Sequence, residues 1–96
     1  MPTYIEIITS PNCPHSPRAA KMLQTIVGKM GDVHYIEISM LTEQGQQIAE
    51  SYGVEATPAI IINGAMAFVG VPTKTELASM IKDAKREMRQ KTNYFF

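Results

Sequence analysis

The dipeptide Asn63-Gly64 lies between two apolar runs, Pro58-Ala59-Ile60-Ile61-Ile62 and Ala65-Met66-Ala67-Phe68-Val69. Asparagine and glycine tolerate positive φ, which a tight two-residue turn demands at both central positions. The two runs are therefore expected to pair as an antiparallel hairpin, and the chain must hold a sheet for that hairpin to join. Pro58 bounds the first run, because proline can open a strand but cannot donate within one.

The flanking sequence alternates between two periods. Thr3-Tyr4-Ile5-Glu6-Ile7-Ile8-Thr9 is rich in β-branched and aromatic residues and reads as a strand, stopped by Ser10-Pro11-Asn12. From Pro14 to about Met30 the period becomes helical. Ala19, Met22, Leu23, Ile26, Val27 and Met30 share one face, and Arg18, Lys21, Gln24 and Lys29 take the other. Gly31 is predicted to end this helix in a left-handed conformation. Val33 to Ile38 alternates as a second strand. Thr42 caps a second helix with Ile48, Ala49 and Tyr52 on one side and Gly53 at its end. Thr73-Lys74-Thr75-Glu76 is a capping box. It opens a helix whose apolar positions are Leu77, Met80, Ile81, Ala84 and Met88. Lys85, Arg86, Arg89 and Lys91 suit the negative pole at the far end of that helix. Asn93-Tyr94-Phe95-Phe96 reads as an apolar tail that packs back or frays.

The resulting order, βαβαββα, predicts an α/β domain with a four-stranded mixed sheet covered on both faces by three helices. The first two strands, separated by a helix, should run parallel through a right-handed crossover. No linker or repeat divides residues 1–96, which are expected to form one domain.

Nine Lys and Arg balance nine Asp and Glu. This evenness argues against binding to nucleic acid through phosphate neutralisation and against a polybasic membrane-surface role. No apolar run approaches the about 20 residues that a membrane span needs. The start, Met1-Pro2-Thr3-Tyr4, has no charged region of the signal-peptide kind. A single cysteine without an export signal predicts a reducing, cytoplasmic setting. There is no metal-ligand spacing and no phosphate-cradling glycine loop, so neither metal nor cofactor is expected, and the protein is expected to be a monomer.

Cys13, the only thiol, sits where the first strand gives way to the first helix. A sulfur there meets unpaired backbone N–H groups and the positive end of the helix dipole, both of which favour the nucleophilic thiolate. Free cysteines are often no more than small buried hydrophobes. Here Asn12, Pro14, His15 and Ser16 are loop and helix-start residues, which favours reactivity, and a protonated His15 would add positive charge. Pro14 costs little so close to a helix start. If Cys13 is the N-cap, however, Pro17 falls where the first intrahelical bond should form and predicts a local distortion. Thr57-Pro58 is the second constellation. It is either an edge device, or a cis-proline that exposes the N–H and C=O of Thr57 beside the thiol for pairing with an extended peptide. His34 reads as a surface residue, the helical methionines as core filler, and Glu6 and Glu37 as half-buried strand residues without a role.

With these residues in view, the chain resembles the thioredoxin superfamily in its small, glutaredoxin-like archaeal form. The resemblance spans nearly the whole chain. It rests on Cys13-Pro14-His15-Ser16 after the first strand, on Tyr52-Gly53-Val54-Glu55-Ala56-Thr57-Pro58 before the third, on Ala59 to Gly64, and on Gly70. It implies a thioredoxin-like fold and thiol–disulfide exchange as a protein disulfide reductase. Cys13 would be the attacking thiolate, Pro58 a cis-proline with Thr57 as its substrate-binding neighbour, and Pro14 and His15 would set the potential. The implied partners are disulfide-containing proteins and a thiol reductase or low-molecular-weight thiol. Ser16 occupies the place of the family's resolving cysteine, either as a natural monothiol arrangement or as an engineered replacement of cysteine by serine, the otherwise complete dithiol context favouring the latter. The basic residue and Gly-Gly-x-Asp segment of glutathione-binding members are absent around Ser10-Pro11-Asn12 and Gly70-Val71-Pro72-Thr73. The alternatives are a monothiol iron–sulfur carrier and a non-catalytic binding module.

Overall fold

A computed structural model describes residues 2–94, with side chains through Glu87. The elements are β1 (Thr3–Thr9), α1 (Ser16–Val27), β2 (Val33–Ser39), α2 (Glu43–Ser51), β3 (Ala59–Ile62), β4 (Ala65–Val69) and α3 (Lys74–Tyr94). The expected order and mixed sheet are found. The strands lie in the order β2-β1-β3-β4, with β1 parallel to β2 and antiparallel to β3, and β3 antiparallel to β4.

Strand alternation sorts the side chains of the two central strands into two cores. Ile5 and Ile7 of β1 and Ile60 and Ile62 of β3 meet Ala19 and Leu23 of α1 and Leu77 and Ile81 of α3 on one face. Ile8, Ala59 and Ile61 meet Ala49 of α2 on the other. Glu6 shares that second face and is half-buried. It accepts a hydrogen bond from the Tyr52 hydroxyl at 3.0 Å, and this bond together with burial raises the Tyr52 pKa above 10.0. Glu37, by contrast, is exposed and accepts from the Thr9 hydroxyl at 3.1 Å.

The turn at Asn63-Gly64 has φ of 50° and 81°, the doubly positive pair the dipeptide predicts. Asn63 also ties down β1: its N–H donates to the Tyr4 carbonyl at 2.8 Å, and its Oδ1 accepts the Tyr4 N–H at 2.9 Å. A bulge between Ile60 and Ile61 shifts the β3–β4 register. The Thr73–Glu76 capping box is complete in both directions, at 3.0 and 3.1 Å. Thr42 caps α2 through the Gly45 N–H at 2.8 Å.

Three local expectations are corrected. Helix α1 begins at Ser16 with His15 as its N-cap, not at Cys13, so Pro17 falls at the second helical position. No intrahelical partner awaits an N–H there, and proline is accommodated without distortion. The same helix ends at Val27 with Gly28 in right-handed geometry, and Asp32 rather than Gly31 takes the left-handed conformation, at φ 63°. Aspartate tolerates that region because its short polar side chain bonds locally. Asn93 and Tyr94, expected in the tail, continue α3, whereas Phe95, Phe96 and the Met88 side chain lie outside the described residues. Met22, Met30 and Met80 pack against the core as filler. His34 is exposed and stacks on Tyr4 with ring centroids 5.8 Å apart.

Candidate functional site

The sheet brings three segments to one end of the molecule: the turn after β1, the start of α1 and the loop before β3. Ser10 to His15 form that turn, closed by the Cys13 N–H donating to the Ser10 carbonyl at 3.1 Å. Cys13 is thereby held half-exposed, with Pro14 and the exposed His15 between it and the first helical residue. The Thr57–Pro58 peptide bond is cis. The Cys13 S–H donates to the Thr57 carbonyl at 3.2 Å, across 44 residues of chain. Pro58 itself is fully buried, and its carbonyl accepts the Gly70 N–H at 2.7 Å. Thr57, Pro58 and Gly70, with His15, Arg18, Met22 and Val71, line a recess of about 470 Å³ beside the thiol.

Ser16 is buried at 3% exposure, although its neighbours in the loop are open to water. Its Oγ accepts the Ser10 N–H at 3.2 Å. Hydrogen bonding from the Ser16 side chain is the largest influence holding the Cys13 pKa below its ordinary 9.0. Partial burial opposes it, and the N–H of His15, the Thr57 side chain and the N–H of Ser16 reinforce it. Donors to sulfur favour the thiolate, whereas partial burial and the Thr57 carbonyl favour the neutral thiol, and the net direction is downward. His15 thus reaches the sulfur through its backbone, a route the sequence-based reading, which invoked its imidazole, did not contain.

This arrangement can generate a nucleophilic sulfur beside an open recess that exposes a peptide carbonyl. Every predicted site residue, Cys13, Pro14, His15, Ser16, Thr57 and Pro58, comes to this one end. Arg18 and Met22 were missed as recess-lining residues, since on α1 they read as an ordinary polar face and core filler. Among the described residues no group of three or more His, Cys, Asp or Glu side chains is placed to hold a metal ion. No helix of the described residues is long and apolar enough to cross a membrane.

A thioredoxin-domain family model matches residues 3–82. The chain belongs to the thioredoxin family. It is 41% identical to a thioredoxin of Methanocaldococcus jannaschii over 81% of this chain and 91% of that protein. A protein disulfide oxidoreductase of Aeropyrum pernix superposes with a TM-score of 0.72 at 33% identity, covering 86% of this chain and 37% of that one. A mutant thioredoxin of Halobacterium salinarum shares the fold with a TM-score of 0.71 at 17% identity, over 85% of this chain and 74% of its own. The family's chemistry, thiol–disulfide exchange, is the activity of this thioredoxin-family protein in general terms.

Proposed function

We propose that this protein is a monothiol disulfide reductase in which Cys13 performs the nucleophilic step and an external thiol completes the cycle. The observation that carries this reading is the half-exposed Cys13 sulfur just before α1, whose S–H donates to the Thr57 carbonyl 3.2 Å away. The Cys13 thiolate attacks one sulfur of a substrate disulfide. A Cys13–substrate disulfide forms, the substrate S–S bond breaks, and the other substrate sulfur leaves as a thiolate. Ionisation of Cys13 also removes the S–H that occupies the Thr57 carbonyl in the resting site. That carbonyl is then free to accept an N–H from an extended substrate strand.

Ser16 hydrogen-bonds the thiolate but carries no sulfur with which to displace the substrate. Whatever its origin, its hydrogen bond to the Ser10 N–H supports treating the site as monothiol as it stands. An external thiolate attacks the Cys13 sulfur of the mixed disulfide and releases the reduced substrate. A second equivalent then regenerates Cys13 and leaves as the oxidised external disulfide. A reducing compartment such as the cytoplasm supplies that thiol. Pro14 and His15 tune the couple from between Cys13 and Ser16, and residues 1–96 act as one domain.

Insulin disulfide reduction by dithiothreitol tests this reading, comparing the protein with its Ser16→Cys and Cys13→Ser variants. The parent and Ser16→Cys should both exceed the dithiothreitol background, the parent should trap a mixed disulfide at Cys13 visible by mass spectrometry when dithiothreitol is withheld, and Cys13→Ser should do neither. The proposal fails if parent and Ser16→Cys both match the background and no adduct forms.

A further inference from the structure

A groove of about 790 Å³ runs between α1 and α3. Among the described residues, six Lys and Arg line it: Arg18, Lys21, Lys29, Lys74, Lys82 and Arg86. All six are exposed, and Asp83 is the one acidic residue in the lining among the described residues. The remainder of the chain therefore holds three cations and eight acids. Residues 31–73 carry no Lys or Arg at all but include Asp32, Glu37, Glu43, Glu50 and Glu55. A net charge of zero thus conceals a strong separation, with the positive pole concentrated along one groove. The same groove has an apolar element in the half-buried Met22, Ile26 and Ala78. Arg18 and Met22 line both this groove and the recess beside Thr57 and Pro58, so the two surfaces are continuous.

We infer that the α1–α3 groove docks an acidic, amphipathic segment of the disulfide-bearing protein substrate and delivers its disulfide to Cys13. This rests on the proposed reaction at Cys13 and adds to it the charge character of the partner. Cations spaced along both walls match carboxylates of a peptide, and the apolar element suits interspersed leucine-like side chains, which a nucleic acid lacks. Long-range attraction of this kind raises association rates by about tenfold or more at low salt. It weakens as the screening length shrinks from about 10 Å at 0.1 M to about 3 Å at 1 M.

The test uses three peptides of equal length, each with one cysteine activated as a 2-thiopyridyl disulfide and followed by Leu mixed with Glu, Gln or Lys. Stopped-flow release of thiopyridone reports attack by Cys13. The Glu peptide should react at least about tenfold faster than the Gln peptide at low ionic strength, the Lys peptide should be slowest, and the differences should collapse at 1 M salt. The double variant Lys21→Glu/Lys82→Glu should lose the Glu advantage while reacting with the Gln peptide at the parental rate. Equal Glu and Gln rates, or an advantage that survives the double variant, would overturn the inference. So would competition by a single-stranded oligonucleotide at the peptide's own concentrations, or salt-sensitive self-association in sedimentation that fills the groove with a second copy. Failure of all three peptides to react would instead sink the proposed chemistry at Cys13.

Discussion

Replacing Ser16 by alanine removes a hydroxyl that serves two partners at once, so one variant has two independent readouts. The first is stability. The Ser16 oxygen is the acceptor for the part-buried Ser10 N–H, and at 3% exposure water has little access to replace it. Leaving such a donor unpaired costs about 1–2 kcal/mol. Alanine at the first helical position returns at most about 0.5 kcal/mol in helix propensity. The net loss of about 1 kcal/mol should lower the Tm of a domain this size by roughly 4–8 °C. The second readout is reactivity. The hydroxyl is the largest influence that lowers the Cys13 pKa, so its removal must raise that pKa toward 9.0. The rate of Cys13 alkylation by iodoacetamide, followed against pH, should show its midpoint displaced upward and a slower reaction at neutral pH. An alkylation midpoint that stays in place or moves down would refute the argument that Ser16 stabilises the thiolate. A fall in Tm with an unmoved midpoint would show the hydroxyl to be structural only.

Gly45→Ala should destabilise the protein by about 2 kcal/mol or more, although alanine normally gains about 1 kcal/mol over glycine within a helix. The added Cβ would collide with the Ser39 carbonyl oxygen and approach the Thr42 Oγ1 to 2.8 Å, forcing α2 off β2 and breaking its cap. Urea denaturation that shows equal or higher stability would contradict this. The pH dependence of stability should also carry the signature of Cys13. Its folded pKa lies below 9.0, so the thiolate contributes in full above about pH 9 and loses its contribution as pH falls through the folded value. Denaturation between about pH 6 and pH 10 should therefore find the parent gaining on Cys13→Ser as pH rises to about 9, then levelling. A gap that shrinks with rising pH would reverse the assigned sign.

The elements were legible because each is written in a short window. Alternation at Thr3–Thr9, the capping box at Thr73–Glu76 and the Asn63-Gly64 turn each depend on residues within a few positions of one another. Family resemblance along Cys13–Ser16 and Thr57–Pro58 named the candidate site residues, which the fold places at one end. Boundaries were less legible. The sequence put the N-cap at Cys13, whereas the helix begins at Ser16 with His15 as its N-cap, the buried Ser16 hydroxyl accepting the Ser10 N–H.

By itself the sequence determined the order of strands and helices, the hairpin and the one available nucleophile. These follow from side-chain periodicity and from the φ preferences of Asn, Gly and Pro, which act locally. Tertiary structure decided the isomer at Thr57–Pro58, the meeting of Cys13 with a carbonyl 44 residues away, and the two roles of the Ser16 hydroxyl. It also turned Arg18, Lys21 and Lys29, and the basic residues of α3, into facing walls of one groove. Read along the chain, those are two ordinary solvated stripes whose charge the acids elsewhere bring to a net of zero. Only the packing of both helices on one face of the sheet sums their fields in one place, because Coulomb interaction depends on distance in space and not on separation along the chain.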